Sequence, residues 1–143
     1  LAGRASQRGM RITLSDQRTD QKRVPVMLGS FDEMTEVFVN IVENAIKYGF
    51  ENSAIEISIL DVSSNRLQID VTNYGEGIEE RHLPRLTERF YRVDKARSRQ
   101  IGGTGLGLAI VKHIVSRHRG TMSITSKLND ATKFSIKLPL IHR

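Results

Sequence analysis

Asn40, Asn44, Lys47 and Tyr48 are spaced four, three and one apart, Asn73 precedes a Gly75-x-Gly77 pair, and Gly102-Gly103-Thr104-Gly105-Leu106-Gly107-Leu108 leads into the apolar segment Ala109 to Val115. The glycine run has the makings of a phosphate seat. Without Cβ atoms its backbone can approach a ligand, and a helix starting at its far end would point free N–H groups and a positive dipole end at an anion. Two common nucleotide motifs do not describe it. A P-loop needs a lysine where Leu108 stands, and a dinucleotide fingerprint needs a third small residue where Ile110 stands. By itself the run also suits a flexible turn before a helix.

The other groups suit other parts of a flat, phosphorylated ligand. Carboxamide oxygens of Asn44 and Asn40 are hard donors of the kind Mg²⁺ accepts, beside waters and phosphate oxygens, and Lys47 could face phosphate. The same flank also fits an ordinary solvated face. Gly75 and Gly77 would let backbone approach a planar ring, with the Asn73 oxygen meeting an exocyclic amine, although a tight turn is an equal reading. Arg89, Arg92, Lys95, Arg97 and Arg99 crowd the segment just before the glycine run. Such charge would serve a triphosphate, and it also fits a solvated loop.

The elements that must carry these groups are legible in outline. From Phe31 to Tyr48 apolar residues recur at Met34, Val37, Phe38, Ile41, Val42, Ala45 and Ile46, which predicts an amphipathic helix capped by Ser30 or Asp32. Asn40, Asn44, Lys47 and Tyr48 then share one flank of it. Ile55/Ile57/Ile59 and Leu67/Ile69/Val71 alternate with polar residues around Ser63-Ser64-Asn65, and Met122/Ile124 and Phe134/Ile136/Leu138 do so around Asn129-Asp130. These are two hairpins. Ile12 to Leu14 and Val24-Pro25-Val26-Met27-Leu28 suggest two early strands, the second at an edge because of Pro25. Between Asn73 and Gly103 lies an irregular stretch with a short helix around Glu79 to Leu86, long enough to be functional. A second long helix is predicted from about Gly105 to Arg119. The order predicts an α+β fold, a two-layer sandwich with a mixed sheet covered by helices on one face.

Composition narrows the class further. The 143 residues are 38% hydrophobic and 27% charged, which suits one domain with a real core. No run approaches about 18 apolar residues and no signal-peptide pattern opens the chain, so neither crossing nor direct membrane contact is expected. Zero cysteines exclude disulfides and thiolate metal sites. The net charge of +6 does not read as nucleic-acid binding, because the basic residues are not interleaved with aromatics along one face. Residues 1–10, small, polar and basic, are expected to be a linker remnant without hydrophobic partners, followed by one domain over 11–143.

Taken in order, four motifs resemble the catalytic and ATP-binding domain of bacterial sensor histidine kinases, of the HATPase or GHKL group with its Bergerat fold. Asn40-Ile41-Val42-Glu43-Asn44-Ala45-Ile46-Lys47-Tyr48 is similar to the N box, and Asn73-Tyr74-Gly75-Glu76-Gly77-Ile78 to the G1 box. Glu88-Arg89-Phe90-Tyr91-Arg92-Val93-Asp94 is similar to the F box, and Gly103-Thr104-Gly105-Leu106-Gly107-Leu108 to the G2 box. The resemblance covers roughly residues 11–140, and Leu83 to Asp94 looks most like phosphate-regulon sensor kinases.

This resemblance implies ATP and Mg²⁺ as ligands. Asn44 is then the metal ligand with Asn40 as its neighbour, and Lys47 and Tyr48 contact phosphate and nucleotide. Asn73 takes the place of the adenine-reading residue, supported by Thr132, and Gly75, Gly77 and Ile78 shape the adenine pocket. Phe90 would anchor a mobile ATP lid, Tyr91 would contact the nucleotide, Arg92 with Arg97 or Arg99 would reach the phosphates, and Gly103, Thr104, Gly105, Leu106, Gly107 and Leu108 would bind the nucleotide as the hinge of that lid. Implied partners are a dimerisation and phosphoacceptor helical hairpin and, through it, a response regulator. The chain alone is expected to be monomeric, the parent a cytoplasm-facing homodimer in a membrane-bound sensor.

Two residues depart from the family pattern. Asn73 stands where aspartate is usual, which should weaken ATP binding about tenfold by replacing an ionised acceptor with a neutral one. Asn40 stands where the ATP-hydrolysing branches carry a glutamate base, and an amide cannot take a proton. Glu43 is about 100° away from Asn44 around the helix and suits a surface or interdomain contact better. His82, His113, His118 and His142 lack a phosphoacceptor context and read as exposed or satisfied polar residues. The expected activity is therefore transfer to a histidine on another domain. The alternatives are a nucleotide-sensing or docking module of the same fold and a self-sufficient ATPase.

Overall fold

The computed structural model describes residues 2–20, 25–89, 91 and 107–141. Helix α1 is Ala2–Gln7, strand β1 Arg11–Asp16, helix α2 Phe31–Tyr48, β2 Ala54–Ser63 and β3 Arg66–Tyr74. A 3-10 helix, Glu80–Arg85, precedes α3 at Gly107–Arg117, β4 at Thr121–Ser126 and β5 at Ala131–Pro139. The strands form one sheet in the order β1-β2-β3-β5-β4. β1 runs parallel to β2, with α2 as the crossover, and the other pairs are antiparallel.

Strand alternation sorts the sheet into two faces. Ile57 lies opposite Val71, Val71 opposite Phe134, and Ile69 opposite Ile136, so these residues share the inner face. Val37, Ile41 and Ala45 of α2 and Val111 and Val115 of α3 close over it, all fully buried. The outer face carries Ser58, Asp70 and Ser135 in one row across β2, β3 and β5. The predicted mixed sheet with its helical layer is thus the architecture observed.

α2 occupies the predicted span because its stripe meets this core and its ends are marked. The Ser30 Oγ accepts from the Glu33 N–H at 3.2 Å, and Gly49 follows the last turn. Such a cap stabilises by about 1 kcal/mol. α3 is shorter than predicted at its C-terminus, ending at Arg117. Arg119 takes φ 59°, and Gly120 N–H bonds Val115 O while Arg119 N–H bonds Ser116 O, closing a Schellman turn.

Two expectations are corrected. Residues 25–28 form no strand: Pro25 lacks a donor, Leu28 is 82% exposed, and the edge beside β2 belongs to Arg11–Asp16. Val26 O accepts a hydrogen bond from the Ile141 N–H. Residues 2–10 do have hydrophobic partners, since Ala5 and Met10 join the core at 1% and 4% exposure. A six-residue helix with one inward alanine is too short to show a period. Val24, Phe90, Arg92, Lys95, Arg97, Arg99, Gly102 to Leu106 and His142 lie outside the described residues.

Candidate functional site

The inner end of β3 and the start of β5 bring two polar residues into the core. Asn73 and Thr132 are each 4% exposed and face one another in the β3–β5 register. Ile55, fully buried, lies opposite Asn73 on the other side. The ladder therefore fixes the Asn73 carboxamide at the rim of an otherwise apolar face, where an unmatched polar ligand group would be costly and a matched one selective.

A hydroxyl chain extends from this pair. The Thr132 and Ser126 hydroxyls are 2.7 Å apart, and the Ile78 N–H donates to the Ser126 Oγ at 2.9 Å. Gly75 N–H donates to Asp130 O and Asn129 N–H to Glu76 O, at 3.0 and 2.8 Å. The loop from Gly75 to Ile78 is thus laced to the β4–β5 hairpin. Ser126 was not singled out by sequence reasoning, because its partner is 48 residues away.

The glycines are required first by the protein's own packing. A Cβ on Gly75 would lie 2.5 Å from Tyr48 O, and Gly75 forms an isolated bridge with Gly49 at the end of α2. Gly77 has φ +80°, and a Cβ there would lie 2.7 Å from Lys127 O. Gly75 consequently joins the sheet end to the last turn of α2.

Asn40, Asn44, Lys47 and Tyr48 are half-buried along α2. The Asn40 amide donates to Glu36 O at 2.8 Å, and its Oδ1 would be 3.0 Å from a Cβ on Gly107, the first residue of α3. Asn40 therefore spaces α2 from the start of α3, and Leu108 packs at the core edge. Glu43 is held by Arg4 at 3.0 Å, in keeping with a contact role. An ion pair this exposed contributes little.

At the far side Tyr91 is the only described residue among those from Phe90 to Leu106. Its hydroxyl is hydrogen-bonded to His82 Nδ1, and the Arg85 guanidinium lies 4.4 Å over its ring. Hydrogen bonds to Glu88 hold the Arg85 pKa above its ordinary value. His118 is also engaged: its Nδ1 lies 2.8 Å from Ile114 O, and its Nε2 accepts from the Ser30 N–H at 3.1 Å. His113 is exposed.

Among the described residues no group of three or more His, Cys, Asp or Glu is arranged to hold a metal. A cavity of about 340 Å³ lies at the opposite end of the sheet, lined in part by Arg18, Asp61, Leu67 and Leu140. Six residues along β3 separate Leu67 from Asn73, roughly 20 Å. That cavity is not part of this site. No helix among the described residues is long and apolar enough to cross a membrane.

Residues 29–142 match the family described as histidine kinase-, DNA gyrase B- and HSP90-like ATPase. The phosphate regulon sensor protein PhoR of Pseudomonas aeruginosa is 44% identical over 107 residues, 75% of this chain and 24% of that protein. The sensor-like histidine kinase SenX3 of Mycobacterium tuberculosis is 41% identical over 124 residues, 87% of this chain and 30% of that protein. The chain thus spans less than a third of the length of these relatives. Among solved structures, the mycobacterial sensor histidine kinase MprB superposes with a TM-score of 0.79 at 21% identity, over 97% of this chain and 88% of that one. At that identity the likeness speaks for the fold alone. With more than half its length matched to the family, the chain belongs to the histidine kinase-, DNA gyrase B- and HSP90-like ATPases.

Proposed function

We propose that this domain binds Mg-ATP between the Asn73–Thr132 end of the sheet and the polar flank of α2, and donates the γ-phosphoryl group to a histidine on a separate dimerisation domain. The observation that carries the reading is the buried Asn73–Thr132 pair joined through Gly75 to the helix bearing Asn44, Lys47 and Tyr48. One wall offers a base-reading amide and the other offers amide oxygen and an ammonium. Asn44 is the ligand we assign to Mg²⁺, which when bound would neutralise phosphate charge.

In this reading the chain's residues bind and orient. Asn73 accepts from the adenine amine, Ile78 and the Gly75–Gly77 turn support the ring, and Lys47 with Arg92 and Arg97 balances phosphate charge. The incoming imidazole nitrogen forms the new N–P bond as the bond from γ-phosphorus to the leaving ADP oxygen breaks. Positioning and charge stabilisation supply the acceleration. Neither Asn40 nor Glu43 would serve to activate water in this reading, since Asn40 is an amide whose NH₂ donates to Glu36 O and Glu43 is paired with Arg4. The partners follow from the same reading: a helical hairpin carrying the histidine, a response regulator docking on it, and a homodimeric, cytoplasm-facing parent. Residues 1–10 would lead from that hairpin.

A second reading, a nucleotide-sensing module without transfer, is favoured by Asn73 alone. Incubation of the chain with the cognate hairpin and γ-labelled ATP separates the two. Phosphohistidine on the hairpin is the expected result; nucleotide binding with no label on the hairpin would establish the module instead.

A further inference from the structure

The last turn of α2 is held from outside the helix by one side chain. The Arg8 guanidinium donates to Ile46 O, to Lys47 O at 3.2 Å and to Gly49 O at 3.0 Å. Carbonyls at a helix C-terminus lack intrahelical partners and form the negative end of its dipole. A planar fork with several donors in fixed geometry suits them better than a single ammonium does. The same turn carries Lys47 and Tyr48, and Asn44 directly precedes it.

Arg8 is itself anchored by its backbone. Gly9 takes φ +68°, Met10 N–H bonds Ala5 O and Gly9 N–H bonds Ser6 O, so α1 ends in a fixed turn. The Asn52 N–H donates to Arg8 O at 3.0 Å and the Arg11 N–H to Ser53 O at 3.1 Å. A Cβ on Gly9 would strike Asn52 Oδ1, and one on Gly49 would lie 2.7 Å from Met10 Cε. Residues 8–11 are clamped against the 49–53 connection, with Arg4–Glu43 as an outer contact. The base-side loop is tied elsewhere, to Ser126 and Asp130.

We propose that Arg8 is a positioning residue for the phosphate half of the site: its guanidinium sets the angle of the α2 turn that presents Asn44 and Lys47, so displacement of α1 is felt at the phosphates before it is felt at the base. The proposal rests on the reading of Asn44 and Lys47 given above. Its signature is a split between ligands that share the base and differ in phosphate.

The test compares Mg-ATP by titration calorimetry with adenosine by NMR titration, using the 143-residue chain and Arg8→Ala, Arg8→Gln and Arg8→Lys. Folded fraction is followed by circular dichroism, and Arg8→Gln, which keeps an amide donor, makes the comparison should Arg8→Ala unfold. Expected is a loss of about five- to tenfold in Mg-ATP affinity, less than about twofold for adenosine, and partial recovery with Arg8→Lys. Equal losses for both ligands, or Mg-ATP affinity within about twofold of wild type in a folded variant, overturn the proposal. Asn44→Ala distinguishes the two levels. If it abolishes Mg-ATP binding while Arg8 variants do nothing, only the Arg8 inference falls; if it too is silent, the phosphate-side reading falls and takes the inference with it.

Discussion

On the sheet side of the site, Asn73 and Thr132 are buried, paired by strand register, and continued by Ser126 into the Ile78 backbone. On the helix side, Asn40, Asn44 and Lys47 are half-buried on a single helix whose C-terminal carbonyls accept hydrogen bonds from Arg8, in the turn that follows α1. A ladder bonded on both sides holds its side chains against displacement. A helix end can tilt as a body. Under the proposed function, base recognition would fall to the rigid wall and phosphate handling to the adjustable one, which would suit a domain that holds ATP and then releases ADP.

The strongest way to sharpen this contrast is to strengthen the rigid wall where it departs from its family. Asn73→Asp exchanges a neutral acceptor, contributing about 0.5–1.5 kcal/mol, for an ionised one contributing about 1.5–3 kcal/mol. We expect ATP affinity to rise about tenfold and preference for ATP over GTP to widen, because an amide can rotate to serve other bases and a carboxylate cannot. Titration calorimetry giving equal affinities would remove Asn73 from the base-reading role.

A smaller effect is expected one step further along the same wall. Ser126→Ala leaves the Ile78 N–H without its acceptor and removes the hydroxyl neighbour of Thr132. At about 1 kcal/mol for such a bond, ATP affinity should fall roughly three- to fivefold, with adenosine falling equally. Ser126→Thr should restore both. Loss confined to Mg-ATP would show that the two walls are not separable as described.

What could be read in advance follows the range of the interactions concerned. α2 was legible because its apolar stripe repeats over 18 residues, and the hairpins because their alternation spans short turns. Asn44 and Asn73 stood out through motif order, yet their placement on two walls depends on the Gly49–Gly75 bridge, which no local pattern encodes. Arg8 acts on carbonyls as far as 41 residues away and offered only a basic residue in a polar stretch. Val24 to Leu28 misled for the opposite reason: an apolar run resembles a strand whether or not an edge is available to receive it.

The smallest expected effect concerns the other face of the same strand. Tyr74 follows Asn73, so its side chain leaves the sheet on the outer side, where its hydroxyl donates to Glu56 at 3.1 Å. That hydrogen bond, then desolvation, raises the Tyr74 pKa above its ordinary value of 10.0. Because the folded value is raised, the stabilisation is complete below about pH 10 and is lost as pH climbs through the raised value. Absorbance at 295 nm should show Tyr74 ionising above its ordinary value. Tyr74→Phe should delete that transition and Glu56→Gln should move it down, with ATP affinity at neutral pH changed by less than about twofold in either variant. A larger loss of ATP binding would mean that the outer face is coupled to the base through the strand itself, and the rigid wall would then include both of its surfaces.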